Sequence, residues 1–395
     1  MAEDDEYTLA DAAAAATRML KHKVSDAEIK DLLPEHYQDD AFAIARLRNK
    51  ASDRFEDPWE LWFTDQGLRY ATPDRVARAR AQRLEGFGDV AVDPACGVGI
   101  QLAFLARTFE QAVGIERDEE TAELAERNLQ ALGAEAEAEV VVADALDPGA
   151  RDRVPDPDVV VCDPARDPEA ERRTLDDLSP DLGKIHARYA EDAQAWCYEL
   201  PPMIDPDRVR EAFEAELAYT SLNGDLNRLA IYGGQAREAD RSALTLPAGE
   251  RIDDREPTSE LVSVEEPDEI LHRVDRTIVR AQLLPQLAHR ANADGLLSEE
   301  HPRRYLLTSD RPAATAFTND FQVLDTHTWN LMGLREKLKR LDAGHVTLRA
   351  GIDPDRYWDV RNALEEGLEG SVSVQLFRVG DQGIIVRPVD QQAGN

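Results

Sequence analysis

"DVAVDPACGVGIQLAFLA", Asp89 to Ala106, joins a run that alternates like a β-strand to a glycine turn and then to an apolar, helix-forming stretch. In open α/β sheets such a turn is a ligand cradle, because the backbone and the helix N-terminus can approach a bound group closely. A pyrophosphate fits this cradle badly. Counting from Gly97, the third glycine of the dinucleotide fingerprint falls on Leu102, and there is no GK[ST] of a phosphate loop. Asp93 also ends the strand where phosphate oxygens would arrive. A carboxylate there repels them and attracts an ammonium group.

A nucleoside carrying an amino acid suits these charges, and S-adenosyl-L-methionine is the common one. Two further acids agree. Glu116 ends the next strand, "QAVGIE", about twenty residues after the turn, where an acid accepts hydrogen bonds from ribose hydroxyls. Asp144 ends "EVVVAD", within reach of an adenine amino group. A single acid at a strand end is more often a helix cap. Three on successive strand ends, facing one crevice, favour a ligand site.

Working outward, "VAVD", "QAVGIE", "EVVVAD", "DVVVCD" and "AWCYEL" alternate with helical or polar segments, which is the sequence form of a parallel sheet wrapped by helices. "ELAYTSLNGDLNRLAIYGG" then places two alternating runs around Asn223-Gly224, a hairpin signal, so the last strands are antiparallel. The fold class is α/β, with a helical segment over residues 1–88 and a nucleoside-binding domain over 89–234. In the first segment Ser25 with Glu28 reads as a capping box, and Thr72 as the N-cap before Pro73. Residues 235–301 read as a linker and helix, with an unstructured connection up to about Glu269 and a helical stretch from Pro267 to Ala293. Residues 302–395 alternate strands and helices as a small α+β domain.

"VDPACGVGIQ", "VGIERD", "VVADAL" and "VVCDPAR" resemble, in order and spacing, the first four motifs of the class I S-adenosylmethionine-dependent methyltransferases. The departure is Ala95 where the family's first glycine stands, which a negative φ would allow. The resemblance implies a Rossmann-like sheet, with Asp93, Ala95, Gly97, Gly99, Glu116 and Asp144 around the cofactor. In amino-methyltransferases a [DNS]-P-P-[YFW] turn follows the fourth strand and holds an exocyclic amine. This chain keeps the acid and first proline as Asp163 and Pro164, then has Ala165 and Arg166. Arg166 is read either as a ligand for a phosphate or carbonyl, or as a partner of Asp167. A cysteine-nucleophile route is disfavoured, since Cys162 and Cys197 sit within strands.

"LWFTDQGLRYATPDRVARARAQRL", "YELPPMID" and a C-terminal half ending "FRVGDQGIIVRP" resemble methyltransferases with a THUMP-like C-terminal domain, a group related to trimethylguanosine synthases. That resemblance implies an RNA substrate and places Thr72 beside the methionine end of the cofactor. It also makes the basic stretch "LREKLKRLDAGHVTLRAG" a candidate RNA contact through Arg335, Lys337, Lys339, Arg340 and Arg349. Taken alone, the stretch is a helix with a solvated basic face. The competing readings are a small-molecule methyltransferase and an RNA-binding protein with a vestigial cofactor site.

The 395 residues, 42% hydrophobic and 32% charged, carry a formal net charge of −33. Acids spread over every segment, with arginine favoured over lysine, are what a salt-rich cytoplasm selects, and concentrated salt screens their repulsion of RNA. No apolar run reaches membrane-spanning length and no basic leader opens the chain, so a cytoplasmic location is expected. The three cysteines have neither disulfide nor metal-site spacing.

Overall fold

The computed structural model describes residues 7–166, 174–301 and 304–389. It has two compact units, Met1–Leu217 with Arg228–Glu238, and Ala218–Asn227 with Ala239–Asn395.

The first unit opens with helices α1 (Leu9–Lys21), α2 (Asp26–Leu32), α3 (Gln38–Ala51), α4 (Asp65–Tyr70) and α5 (Asp74–Leu84). Capping boxes at Thr8/Asp11 and at Ser25/Glu28 satisfy the first free amides of α1 and α2. Ala12, Ala13 and Ala16 of α1 share a buried cluster with Ala41 and Ala45 of α3. These small side chains let the two helices approach closely.

Strands β1 (Val90–Asp93), β2 (Gln111–Glu116), β3 (Ala138–Val142), β4 (Val159–Cys162) and β7 (Ala195–Leu200) pair in parallel. Helices α6 (Ile100–Ala106) and α7 (Glu119–Ala131) make the first two crossovers. A short ribbon, β5 (Ala165–Arg166) with β6 (Leu178–Ser179), follows β4. Helix α8 (Leu182–Ile185) precedes β7 and α9 (Pro206–Ala212) follows it. Strand β9 (Asp225–Gly234) then runs antiparallel to β7, pairing Ala195 with Gly234 through Leu200 with Leu229. The resulting order, β3-β2-β1-β4-β7-β9, with one antiparallel strand after five parallel ones, is the class I arrangement expected from the sequence. Strand β8 (Glu216–Leu222) and β9 are joined by Asn223 and Gly224, both at positive φ (55° and 82°), the geometry of a tight hairpin turn.

The second unit corrects the reading of 235–269 as an unstructured connection. The segment contains β10 (Arg241–Leu246), antiparallel to β11 (Glu250–Asp253), and then β12 (Val262–Ser263). The expected helix from Pro267 begins instead as strand β13 (Ile270–Val274), followed by α10 (Arg276–Ala281) and α11 (Leu284–Ala291). Strands β12 and β13 take their partners from β14, β15 and β16, farther along the chain, which local propensity does not register. With β14 (Gly295–His301), β15 (Arg304–Ser309), β16 (Thr318–Thr328), β17 (Ala343–Arg349), β18 (Val372–Val379) and β19 (Gln382–Pro388), the eight-stranded sheet runs β12-β14-β15-β13-β16-β19-β18-β17. Strand β13 lies between β15 and β16. Leu334 and Leu338 of α12 (Leu331–Arg340) and Leu364 of α13 (Pro354–Glu365) cluster with Val346, Leu376 and Ile385 of the sheet.

Candidate active site

The carboxyl ends of β1, β2, β4 and β7 border a cavity of about 1080 Å³ in the first unit, lined among others by Asp93, Glu116, Asp144, Asp163, Glu199 and Arg228. Most ligand pockets fall in the range of roughly 300–1,000 Å³. This cavity is large enough for a nucleoside-sized ligand and a second molecule beside it.

Asp93 is fully buried and accepts a hydrogen bond from the Ala95 amide at 3.1 Å. Burial raises its carboxyl pKa to about 7; the Ala95 amide and Arg80 oppose that rise, and the charges of Asp163 and Glu116 add to it. The turn after Asp93 is anchored on β2. The Cys96 amide donates to the Ile115 carbonyl, and the Gly97 amide to Glu116 Oε2 at 3.1 Å. Glu116 Oε1 accepts from the Asp118 amide at 2.9 Å. Glu116 thus shapes the turn while its remaining lone pairs border the cavity.

Gly97 and Gly99 take the left-handed φ values of 54° and 78°, whereas Ala95 is not at positive φ and needs no glycine. The buried Asn128 of α7 donates to the carbonyls of Val98 and Trp62 and accepts from the Trp62 amide at 2.7 Å. It fixes the glycine turn to the N-terminal segment. Asp144 is exposed at the cavity edge and accepts from the Leu146 amide at 2.8 Å.

Across the cavity, Asp163 follows β4 and its Oδ2 accepts a hydrogen bond from Thr72 Oγ1 at 3.1 Å. This corrects the reading of Thr72 as a helix cap. Helix α5 starts at Asp74, its N-cap is Pro73 and no side chain caps it, because the Thr72 hydroxyl is engaged by Asp163 instead. Pro164 and Ala165 continue the lining. The Arg166 backbone pairs with Leu178, while its side chain and all of Asp167 lie outside the described residues. Cys96, Cys162 and Cys197 are buried, and burial pushes each thiol pKa up, so none is a ready nucleophile.

Over 329 residues the chain is 35% identical to an uncharacterised S-adenosylmethionine-dependent methyltransferase of Mycobacterium tuberculosis, covering 80% of this chain and 85% of that protein, with the same match in strains CDC 1551 and H37Rv. The chain belongs to the S-adenosylmethionine-dependent methyltransferases. A crystal structure of a candidate methyltransferase from Porphyromonas gingivalis W83 has the same fold, with a TM-score of 0.73 at 17% identity over 99% of this chain and 100% of that one. No protein-family model matches the chain.

The donor set fits the methyltransferase cofactor, S-adenosyl-L-methionine. Its ammonium group, ribose diol and exocyclic amine are hydrogen-bond donors, and the strand ends supply carboxylate acceptors rather than the cations a phosphate would need. Among the described residues no helix is long and apolar enough to cross a membrane.

Sequence reasoning gave no role to Glu199 or Arg228. Glu199 is buried at the end of β7 and is ion-paired with the buried Arg80 on one side; on the other, its Oε1 lies 2.6 Å from Arg228 Nε. Arg80 also donates to Gln101 at 2.8 Å. The signal was present in "YELPP", an acid at the end of the fifth parallel strand, the same structural position as Asp93 and Glu116.

In the second unit, Arg335 pairs with Glu366, Lys337 with Asp325 at 2.8 Å and Lys339 with Glu336 at 3.5 Å. Arg349 donates to Gln375 at 3.0 Å, and Arg340 is exposed.

Proposed function

We propose that this methyltransferase acts on RNA, at an exocyclic amine of a guanine base. The observation that carries the reading is the Asp163-Pro164 turn on the cavity wall, with one Asp163 oxygen held by Thr72. Oδ1 is then left for the acceptor amine. Asp163 and the Pro164 carbonyl accept the amine's two hydrogens, which aims its lone pair, and Asp163 takes the proton released as the N–C bond forms.

When bound, S-adenosyl-L-methionine supplies a methyl group already activated by its sulfonium. Asp93 would face the ammonium end, Glu116 would accept from the ribose hydroxyls and Asp144 from the adenine amine; Ala95, Gly97 and Gly99 would hold the methionine end, with Thr72 beside it. The second unit, in this reading THUMP-like, contacts the RNA backbone through Arg335, Lys337, Lys339, Arg340 and Arg349.

The pairing of Arg335, Lys337 and Lys339 with carboxylates favours a second reading, a small-molecule acceptor. Mass spectrometry of nucleosides from a deletion strain and its parent tests the two. Loss of one methylated guanosine is expected, and its return with the wild-type gene but not with Asp163→Ala. An unchanged nucleoside profile would turn the assignment to the small molecule.

A further inference from the structure

We infer that Arg228 is an oxyanion-binding residue of the acceptor half of the cavity, which receives a phosphate or carboxylate group of the molecule to be methylated. The inference rests on that half of the cavity being the acceptor site. Buried Glu199 already has a full counterion in Arg80, whose side chain is 2% exposed, so charge balance does not require a second arginine. Yet Arg228 is bound to the same carboxylate through Nε. The Arg80–Glu199–Arg228 group therefore carries one excess positive charge, on the member that lines the cavity.

The geometry suits recognition. Arg228 Nε is ion-paired with Glu199 at 2.6 Å, and among the described residues its two terminal nitrogens have no hydrogen bond or ion pair. A guanidinium held in this way presents a pre-set pair of N–H donors, the match for a bidentate oxyanion. Asp163 lines the same cavity, and Arg54, which donates to the carbonyls of Leu68 and Ala71, is close enough to both for their charges to shift its pKa in opposite directions. The Arg54 guanidinium and the excess charge on Arg228 thus lie near Asp163, inside a chain of net charge −33. An anionic group near the nucleophile is what such a wall attracts.

The test does not require the acceptor to be known. Full-length protein loaded with S-adenosylhomocysteine is titrated with inorganic phosphate and, separately, with acetate at matched ionic strength, following the melting temperature. The wild type is expected to show a saturable upward shift with one of the two, which tells phosphate from carboxylate. Arg228→Gln should lose that shift while binding S-adenosylhomocysteine within about twofold of wild type. If Arg228→Gln also loses S-adenosylhomocysteine, Arg228→Lys decides: it keeps the charge but not the fork, and should weaken anion binding at least fivefold. A wild-type protein indifferent to both anions, or a shift equal in wild type and variants, would overturn the inference. Failure of the RNA reading alone would leave the anion response intact and abolish only methyl transfer to RNA.

Discussion

Burial keeps the Asp93 carboxyl close to its proton, with a pKa pushed up to about 7, so in the proposed cofactor site the charge offered to an ammonium group is set by pH. Below pH 7 the free protein holds the proton, and a cationic ligand must displace it. S-adenosylmethionine affinity should therefore rise about tenfold from pH 6 to pH 8, with up to one proton released at the lower pH. Calorimetry in two buffers of different ionisation enthalpy measures both, and Asp93→Asn should flatten the profile; a pH-dependent wild type with an equally pH-dependent variant would move the effect elsewhere. The stability of the free protein follows the opposite course. A carboxyl whose folded pKa is raised stabilises fully below its unfolded value, and that contribution is lost as pH climbs through 7. Asp163 separates chemistry from binding: Asp163→Ala should hold cofactor affinity within a few-fold and abolish transfer, and full activity would remove it from the mechanism. The acids at the strand ends were legible because a carboxylate's preference for cations is a property of the residue. The partner of Thr72 was not, because Asp163 lies 91 residues away, and neither the local role of helix cap nor a place beside the cofactor's methionine end names that partner.

At the scale of the element, the glycine turn combines two demands that the sequence shows as one letter. Gly99 sits at φ 78°, and a Cβ there would lie 2.9 Å from Ala125 Cβ, so Gly99→Ala meets both a strained backbone and helix α7. Gly133 also has positive φ, 63°, but nothing lies within 4 Å of its would-be Cβ. Gly133→Ala should cost about 1 kcal/mol, the left-handed term alone, and Gly99→Ala distinctly more. Urea unfolding of the two variants makes the comparison, and equal losses would deny the close packing of turn against α7. Such elements were readable where the signal is local, as in the Ser25/Glu28 box and the Asn223-Gly224 turn. Strand β13 was not: "ILHRV" is short, stands among charged residues and takes its partners from β15 and β16, so no short window of sequence contains the interaction that makes it a strand. Strand β10, by contrast, pairs with β11 across a turn ending at Gly249 (φ 70°), a local hairpin that the charged composition masked.

For the whole molecule the governing quantity is the net charge of −33, which opposes any polyanion in dilute buffer. The basic side chains of α12 face carboxylates at Glu366, Asp325 and Glu336, and surface pairs of this kind contribute only about 0–1 kcal/mol each. A phosphate can replace such a carboxylate at little cost, so pairing does not disqualify the stretch as an RNA contact. It does set an unusual salt dependence. If RNA is the acceptor, binding should be weak in dilute buffer, strengthen as salt screens the surface acids, and fall only when the phosphate contacts are themselves screened. A purely cationic site would weaken steadily from the start. Removing 302–395 is a poor control, because it strips β13 of both its neighbours, β15 and β16. Reversing Lys337, Lys339 and Arg340 to Glu leaves the sheet intact and is the better one. That variant should bind S-adenosylmethionine as the wild type does and lose RNA association across the whole salt series. Equal RNA affinity in the two proteins would mean that α12 does not contact RNA, and absence of binding in both, at every salt concentration, would leave the small molecule as the acceptor.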